Sequence, residues 1–183
     1  MRTFIAIELS KEAKNEISKI AEKIIKKNII MARFVEPENL HLTLKFLGEV
    51  SEKELEKIKE KLSEIKQEGF DVLLGKIGFF SPNFVKVIWI ELLCKENEIQ
   101  RLQGQIENKL EEIGFMKEKR EFQSHITLAR VKSLRDRQGF LDFIEKTEVK
   151  KIDFKVKSFK LISSELTPEG PIYKTIQEFE LES

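Results

Sequence analysis

At 183 residues, with 40% hydrophobic and 36% charged side chains, the chain is long enough for one domain or two tightly joined lobes around a real core. Lys and Arg number 33 against 32 Asp and Glu, so there is no global positive field of the kind that holds duplex nucleic acid nonspecifically, and any nucleic-acid contact has to be local. The single cysteine, Cys94, excludes an internal disulfide framework and a multi-cysteine metal site, and within the apolar run VIWIELLC it reads as a buried, inert thiol.

The first ten residues, MRTFIAIELS, meet Glu8 too early for a secretory apolar segment, and no apolar run approaches membrane-spanning length, so a cytoplasmic protein is expected. Arg2 to Leu9 alternates as a strand with Ile5, Ile7 and Leu9 on one face. Ser10 then offers an N-cap for a helix carrying Ala13, Ile17, Ile20, Ala21, Ile24 and Ile25. Met31 to Glu36 and His41 to Leu47 are strand candidates joined across Pro37-Glu38-Asn39, with Gly48 ending the second. Ser51 caps a helix built on Leu55, Ile58, Leu62 and Ile65. Phe70 to Phe80 and Val85 to Leu92 read as a hairpin turning at Ser81-Pro82-Asn83.

A long helix is expected from about Glu96 to Ile113, stopped by Gly114. A strand from Ser124 to Val131 and a short helix from Leu134 to Ile144 follow. The chain closes with strands near Lys151 to Ser163 and Tyr173 to Leu181 around the turn Thr167-Pro168-Glu169-Gly170-Pro171. The order gives an α+β fold. No Gly-rich linker divides it, so residues 1–183 are expected to form a single bilobal domain in which each lobe supplies one His-x-Thr strand.

The chain has two histidines, and both open the same tetrapeptide: His41-Leu42-Thr43-Leu44 and His125-Ile126-Thr127-Leu128. With six threonines in 183 residues, Thr falls two places after a given residue about 3% of the time, so both pairs arise by accident roughly once in a thousand. Residues i and i+2 of a strand project from one face. His41, Thr43 and Lys45 are therefore expected on a site face, with Leu42, Leu44 and Phe46 toward the core. His125 and Thr127 likewise oppose Ile126 and Leu128.

An imidazole titrates near neutral pH, so two of them flanking one phosphorus can divide proton transfer: one accepts from attacking water and the other donates to the departing oxygen. Threonine hydroxyls can donate to the nonbridging oxygens. A zinc centre needs at least a third ligand, and neither motif carries a His-x-x-x-His or a carboxylate at ligand spacing, so no metal and no cofactor are expected.

These motifs, together with Arg2-Thr3-Phe4-Ile5-Ala6-Ile7, Glu38-Asn39-Leu40 before the first histidine, Ala129-Arg130 after the second motif, Ser164-Glu165-Leu166 and Gly170-Pro171-Ile172-Tyr173, make the chain resemble the 2H phosphoesterase superfamily over nearly its whole length. Within it, the resemblance is to the RNA 2′,3′-cyclic phosphodiesterase branch, historically called 2′-5′ RNA ligases (LigT/ThpR-like). The resemblance implies a bilobal, pseudo-twofold fold with antiparallel sheets lining a central cleft and helices outside. It implies hydrolysis of 2′,3′-cyclic phosphate ends to 2′-phosphates, in some members with reversible 2′-5′ joining. It makes His41 the proton donor, His125 the proton acceptor, and Thr43, Thr127 and Arg130 phosphate ligands.

Ser124 stands where family members often have Pro, and strict alternation puts Arg130 on the face away from His125, so its role requires a twist or bulge at the strand end. Lys117, Lys119, Arg120, Lys132, Arg135 and Arg137 around the second motif either steer an RNA end or form a solvated face. Phe46, Phe79, Phe80, Phe122 and Tyr173 are candidates for stacking on a base or for core packing. The expected partners are RNA ends or nucleotides bearing a 2′,3′-cyclic phosphate, met by a monomer away from membranes. Two rival readings are a noncatalytic module that holds a nucleotide or RNA end, and a phosphodiesterase for a small nucleotide.

Overall fold

The computed structural model describes residues 1–183 as nine strands and four α-helices. In chain order these are β1 (Arg2–Glu8), α1 (Lys11–Lys27), β2 (Ile30–Phe34), β3 (His41–Glu49), α2 (Glu52–Ser63), β4 (Phe70–Phe80), β5 (Val87–Cys94), α3 (Glu98–Glu111), β6 (His125–Leu134), α4 (Arg137–Lys146), β7 (Asp153–Val156), β8 (Ser158–Thr167) and β9 (Gly170–Glu180). A single 3-10 turn, Pro37–Asn39, lies between β2 and β3.

Helices α1, α2 and α4 start where the sequence supplies an oxygen acceptor for their first free amides. The Ser10 hydroxyl accepts from the Ala13 amide at the start of α1, and Ser51 with Glu54 forms a reciprocal capping box on α2. Helix α1 stops at Asn28, which takes the left-handed conformation at φ 53°. The helix expected from Leu134 begins instead after Asp136, whose carboxylate caps the Gly139 amide. Strand β6 continues to Leu134 because β2 pairs with its second half. The long strand expected over Lys151 to Ser163 is two strands: β7 pairs with β4 and β8 pairs with β1.

The sheet is antiparallel in every strand pair and runs β7-β4-β5-β6-β3-β1-β8-β9, with β2 alongside the far half of β6. Its two middle strands carry the histidines. They meet at one register position, Leu42 opposite Ile126, so His41 and Thr43 on β3 flank the same point as His125 and Thr127 on β6. Behind the sheet, α1 lies against β2 and β6, while α3 lies against β3 and α2. One cluster of 37 buried residues joins these helices to the inward strand positions. No helix is long and apolar enough to cross a membrane.

Candidate active site

Leu42 and Ile126 are fully buried, and they fix the orientation of their neighbours. Alternation turns His41, Thr43, His125 and Thr127 to the opposite face, where all four are half-buried. Each imidazole is tethered the same way: His41 Nδ1 donates to the Asn39 carbonyl at 2.6 Å, and His125 Nδ1 donates to the Gln123 carbonyl at 2.8 Å. A carbonyl only accepts, so Nδ1 carries the proton in both neutral rings and Nε2 is the nitrogen able to accept one. In His41 that nitrogen faces the Thr43 hydroxyl at 2.8 Å.

Aromatic rings hold the imidazoles in place. His41 lies 4.9 Å from the Phe4 ring and 5.5 Å from Tyr173, edge-on; His125 lies edge-on to Phe80 at 4.9 Å, and Phe80 in turn rests on Trp89. Both histidines titrate below the ordinary 6.5, chiefly because burial penalises the imidazolium. The carbonyl hydrogen bonds pull the other way, and a nearby cation adds to the lowering, Lys14 for His41 and Arg130 for His125. Burial pushes the Tyr173 phenol up, against the pull of Arg130 and Arg2, so it keeps its proton. Glu8 stands opposite His41 on β1, but Lys160 and Lys14 engage it and keep it ionised.

The next residues depart from strict alternation, and in the same way in both strands. Against β1, Ile5 pairs with Lys45 and Ala6 with Thr43, leaving Leu44 unpaired. Against β5, Ile88 pairs with Ala129 and Trp89 with Thr127, leaving Leu128 unpaired. Each is a β-bulge that buries two consecutive residues, Leu44 with Lys45 and Leu128 with Ala129, and returns the following residue to the site face.

The expectation for Lys45 and Phe46 is therefore reversed. Lys45 is buried and pairs with Glu107 of α3 at 2.7 Å, whereas Phe46 is 69% exposed beside Phe4 on the site face. Arg130, which alternation would turn away, comes round to the side of His125 and Tyr173, where its charge reaches both. The two bulges put Phe46 and Arg130 at matching positions of the two motifs.

Of the other aromatic candidates, Phe80 and Tyr173 touch the histidines, Phe79 packs on buried Phe140, and Phe122 rests half-buried against the core. Phe4 was not among them; its place beside His41 follows from the β1–β3 register, and no local pattern reveals it. Lys117 is paired with Glu111, and Lys119, Arg120, Lys132, Arg135 and Arg137 are exposed. Cys94 is half-exposed at the end of β5 rather than buried, with its thiol pushed up by desolvation. No three His, Cys, Asp or Glu side chains gather where they could share a metal ion.

Two stretches, residues 7–89 and 92–173, match the LigT-like phosphoesterase family, and each contains one His-x-Thr motif. The chain belongs to that family. An RNA 2′,3′-cyclic phosphodiesterase of Methanocaldococcus jannaschii is 41% identical over 182 residues, covering 98% of this chain and 100% of the relative. Another enzyme of that name, from Thermotoga maritima, is 37% identical over 185 residues, covering 100% of this chain and 96% of its own.

Among solved structures, a Thermus thermophilus protein superposes with a TM-score of 0.79 at 27% identity, covering 98% and 97% of the two chains. Escherichia coli LigT complexed with 3′-AMP superposes at 0.78 with 26% identity, covering 100% and 98%. The α+β architecture, with a curled antiparallel sheet and four helices, is that of LigT-like phosphoesterases.

Proposed function

We propose that this chain is an RNA 2′,3′-cyclic phosphodiesterase that opens the cyclic phosphate to a 2′-phosphate by two-histidine acid–base catalysis. The observation that carries this is the matched pair of imidazoles on adjacent strands, each with Nδ1 tied to a backbone carbonyl, which leaves Nε2 as the nitrogen that can exchange a proton on the site face. The relatives that carry this enzyme name match along essentially the full chain. We read residues 1–183 as one bilobal domain in which each lobe supplies a His-x-Thr strand. The reading also takes the enzyme as a cytoplasmic monomer, acting where RNA ends arise, with both histidines supplied by one chain.

In this reading the phosphorus sits between His41 and His125, with Thr43, Thr127 and Arg130 on its nonbridging oxygens. The roles follow from direction. Phe46, exposed on the β3 side, offers a face for the terminal base, which puts the ribose and its O3′ nearer His41. Attacking and leaving oxygens lie in line on opposite sides of phosphorus, so the water enters from the His125 side. His125 Nε2 takes a proton from that water as the new P–O bond forms. The P–O3′ bond breaks, and His41 Nε2–H gives its proton to O3′. Each turnover leaves His41 neutral and His125 protonated, and exchange with solvent restores both.

The test is incubation with an RNA oligonucleotide ending in a 2′,3′-cyclic phosphate in the presence of a chelator, with the product identified by its phosphate position. Loss of either imidazole, in His41→Ala or His125→Ala, is expected to cost about 10²–10⁴ in rate. A substrate whose leaving group needs no protonation, such as a nitrophenyl phosphodiester, should rescue His41→Ala but not His125→Ala. An unchanged cyclic end with the wild-type protein, or full activity in either variant, refutes the reading.

A further inference from the structure

Strand β2 places Arg33 directly opposite Arg130 in the β2–β6 pair, on the same side of the sheet. Directly opposed like charges destabilise a sheet unless something anionic lies between them. Neither guanidinium has a carboxylate partner, although ten ion pairs elsewhere engage Lys14, Lys45, Lys59, Lys61, Lys109, Lys117, Lys160 and the amino terminus. Both arginines are exposed.

The β8–β9 turn leans over this pair. Asn39 Nδ2 donates to the Pro171 carbonyl at 3.1 Å and ties the turn to the approach to β3. Gly170, at φ +143°, leaves room for the Arg33 guanidinium, which would lie 3.1 Å from a β-carbon added there. Arg33 thus lies between Arg130 and the turn, with its guanidinium beside Gly170.

Charge counting says what belongs there. A cyclic phosphodiester carries one negative charge, which the Arg130 guanidinium alone balances in the proposed function, on which this inference rests. A second guanidinium one strand away calls for a second anion. An RNA end supplies it in the next phosphodiester along the chain, which a mononucleotide with a free 5′-hydroxyl lacks. We propose that Arg33 binds the phosphodiester 5′ to the reacting nucleotide, so the site favours a polynucleotide end over a mononucleotide.

The experiment compares kcat/KM for a nucleoside 2′,3′-cyclic phosphate with that for a dinucleotide ending in the same group. In the wild type the dinucleotide is expected to be the better substrate. In Arg33→Gln the dinucleotide-to-mononucleotide ratio should fall about tenfold, consistent with the removal of one charge-assisted hydrogen bond. The slope of log(1/KM) against log salt for the dinucleotide should become shallower by about 0.7, the amount set by neutralising one phosphate of a single strand.

Because the substitution removes a like-charge opposition at an exposed position, the melting temperature of Arg33→Gln should equal or exceed that of the wild type. A proportional fall for both substrates would put Arg33 on the reacting phosphate and overturn the proposal, as would an unchanged ratio. If the wild type turns over neither substrate, the cyclic phosphodiesterase reading fails and takes this inference with it.

Discussion

Lys45 and Glu107 form a buried ion pair under the site, and cutting it on one side should be costly. Both are over 90% buried and joined at 2.7 Å; Lys45 Nζ also donates to the Met116 carbonyl at 2.9 Å. Lys45→Met keeps the apolar stem but strands the Glu107 carboxylate. Orphaning one partner of a buried pair costs about 3–5 kcal/mol. Gln103 Nε2 at 3.0 Å and the Glu118 amide at 3.3 Å still donate to Glu107, which places the expected loss near the lower end, about 3 kcal/mol. For a domain of this size that is a drop of roughly 6–12 °C in melting temperature. Adding Glu107→Leu removes the stranded charge, and because an apolar pair commonly replaces a buried ion pair at little cost, the double variant should recover to within about 1 kcal/mol of the wild type. Urea and thermal unfolding followed through Trp89 measure both. A Lys45→Met protein melting within about 2 °C of the wild type, or a double variant less stable than the single one, refutes the reasoning.

Both histidines are depressed below 6.5 by burial, so the singly protonated free enzyme, one imidazolium and one imidazole, is populated on the acid side of that value; kcat/KM should peak below pH 6.5 and decline above it. A bound anion stabilises imidazolium, so the kcat profile should lie at higher pH than that of kcat/KM, and coincident profiles centred above 6.5 would contradict this. Phe46→Ala removes an exposed ring, so stability should change by no more than about 0.5 kcal/mol, while loss of base stacking worth about 1–3 kcal/mol should raise KM roughly 5- to 150-fold. Gly78→Ala would set a β-carbon 2.4 Å from the Trp89 ring; the overpacking should cost about 1–3 kcal/mol in unfolding experiments, and kcat should fall because Trp89 supports Phe80 against His125.

Local periodicity was enough for β1, for the helix stripes and for the His-x-Thr faces, because each is decided by residues two to four positions apart. It could not decide boundaries that depend on a distant partner. Leu134 sits at helical spacing from the apolar residues of α4, yet belongs to β6 because β2 pairs there. The break at Lys157 is invisible along the chain and exists because β7 and β8 join different neighbours. Lys45 and Phe46 fail for the same reason: alternation sends the lysine out and the phenylalanine in, and what reverses them is a bulge together with a carboxylate on α3. A further signal does lie in the sequence. Ile5-Ala6-Ile7-Glu8-Leu9 and Ile88-Trp89-Ile90-Glu91-Leu92 are variants of one string, spaced almost as the two histidines are, and the fold sets Glu8 opposite His41 and Glu91 opposite His125.

That repetition poses a problem that the bulges resolve. Two like strands with like imidazole tethers would form a cleft able to seat a cyclic phosphate either way round, with either histidine on the ribose side. Hydrolysis needs one orientation, because donating to an ester oxygen and accepting from water are different tasks. The backbone device after each motif is the same, but the residue it turns into the cleft is Phe46 on one strand and Arg130 on the other. An aromatic face attracts the base and a guanidinium attracts phosphate, so exchanging the ends of the substrate would set the base against a cation and leave the phosphate without one. In the proposed reaction the orientation would then come from the residue behind each bulge, and the two histidines could stay nearly equivalent in geometry while doing opposite work.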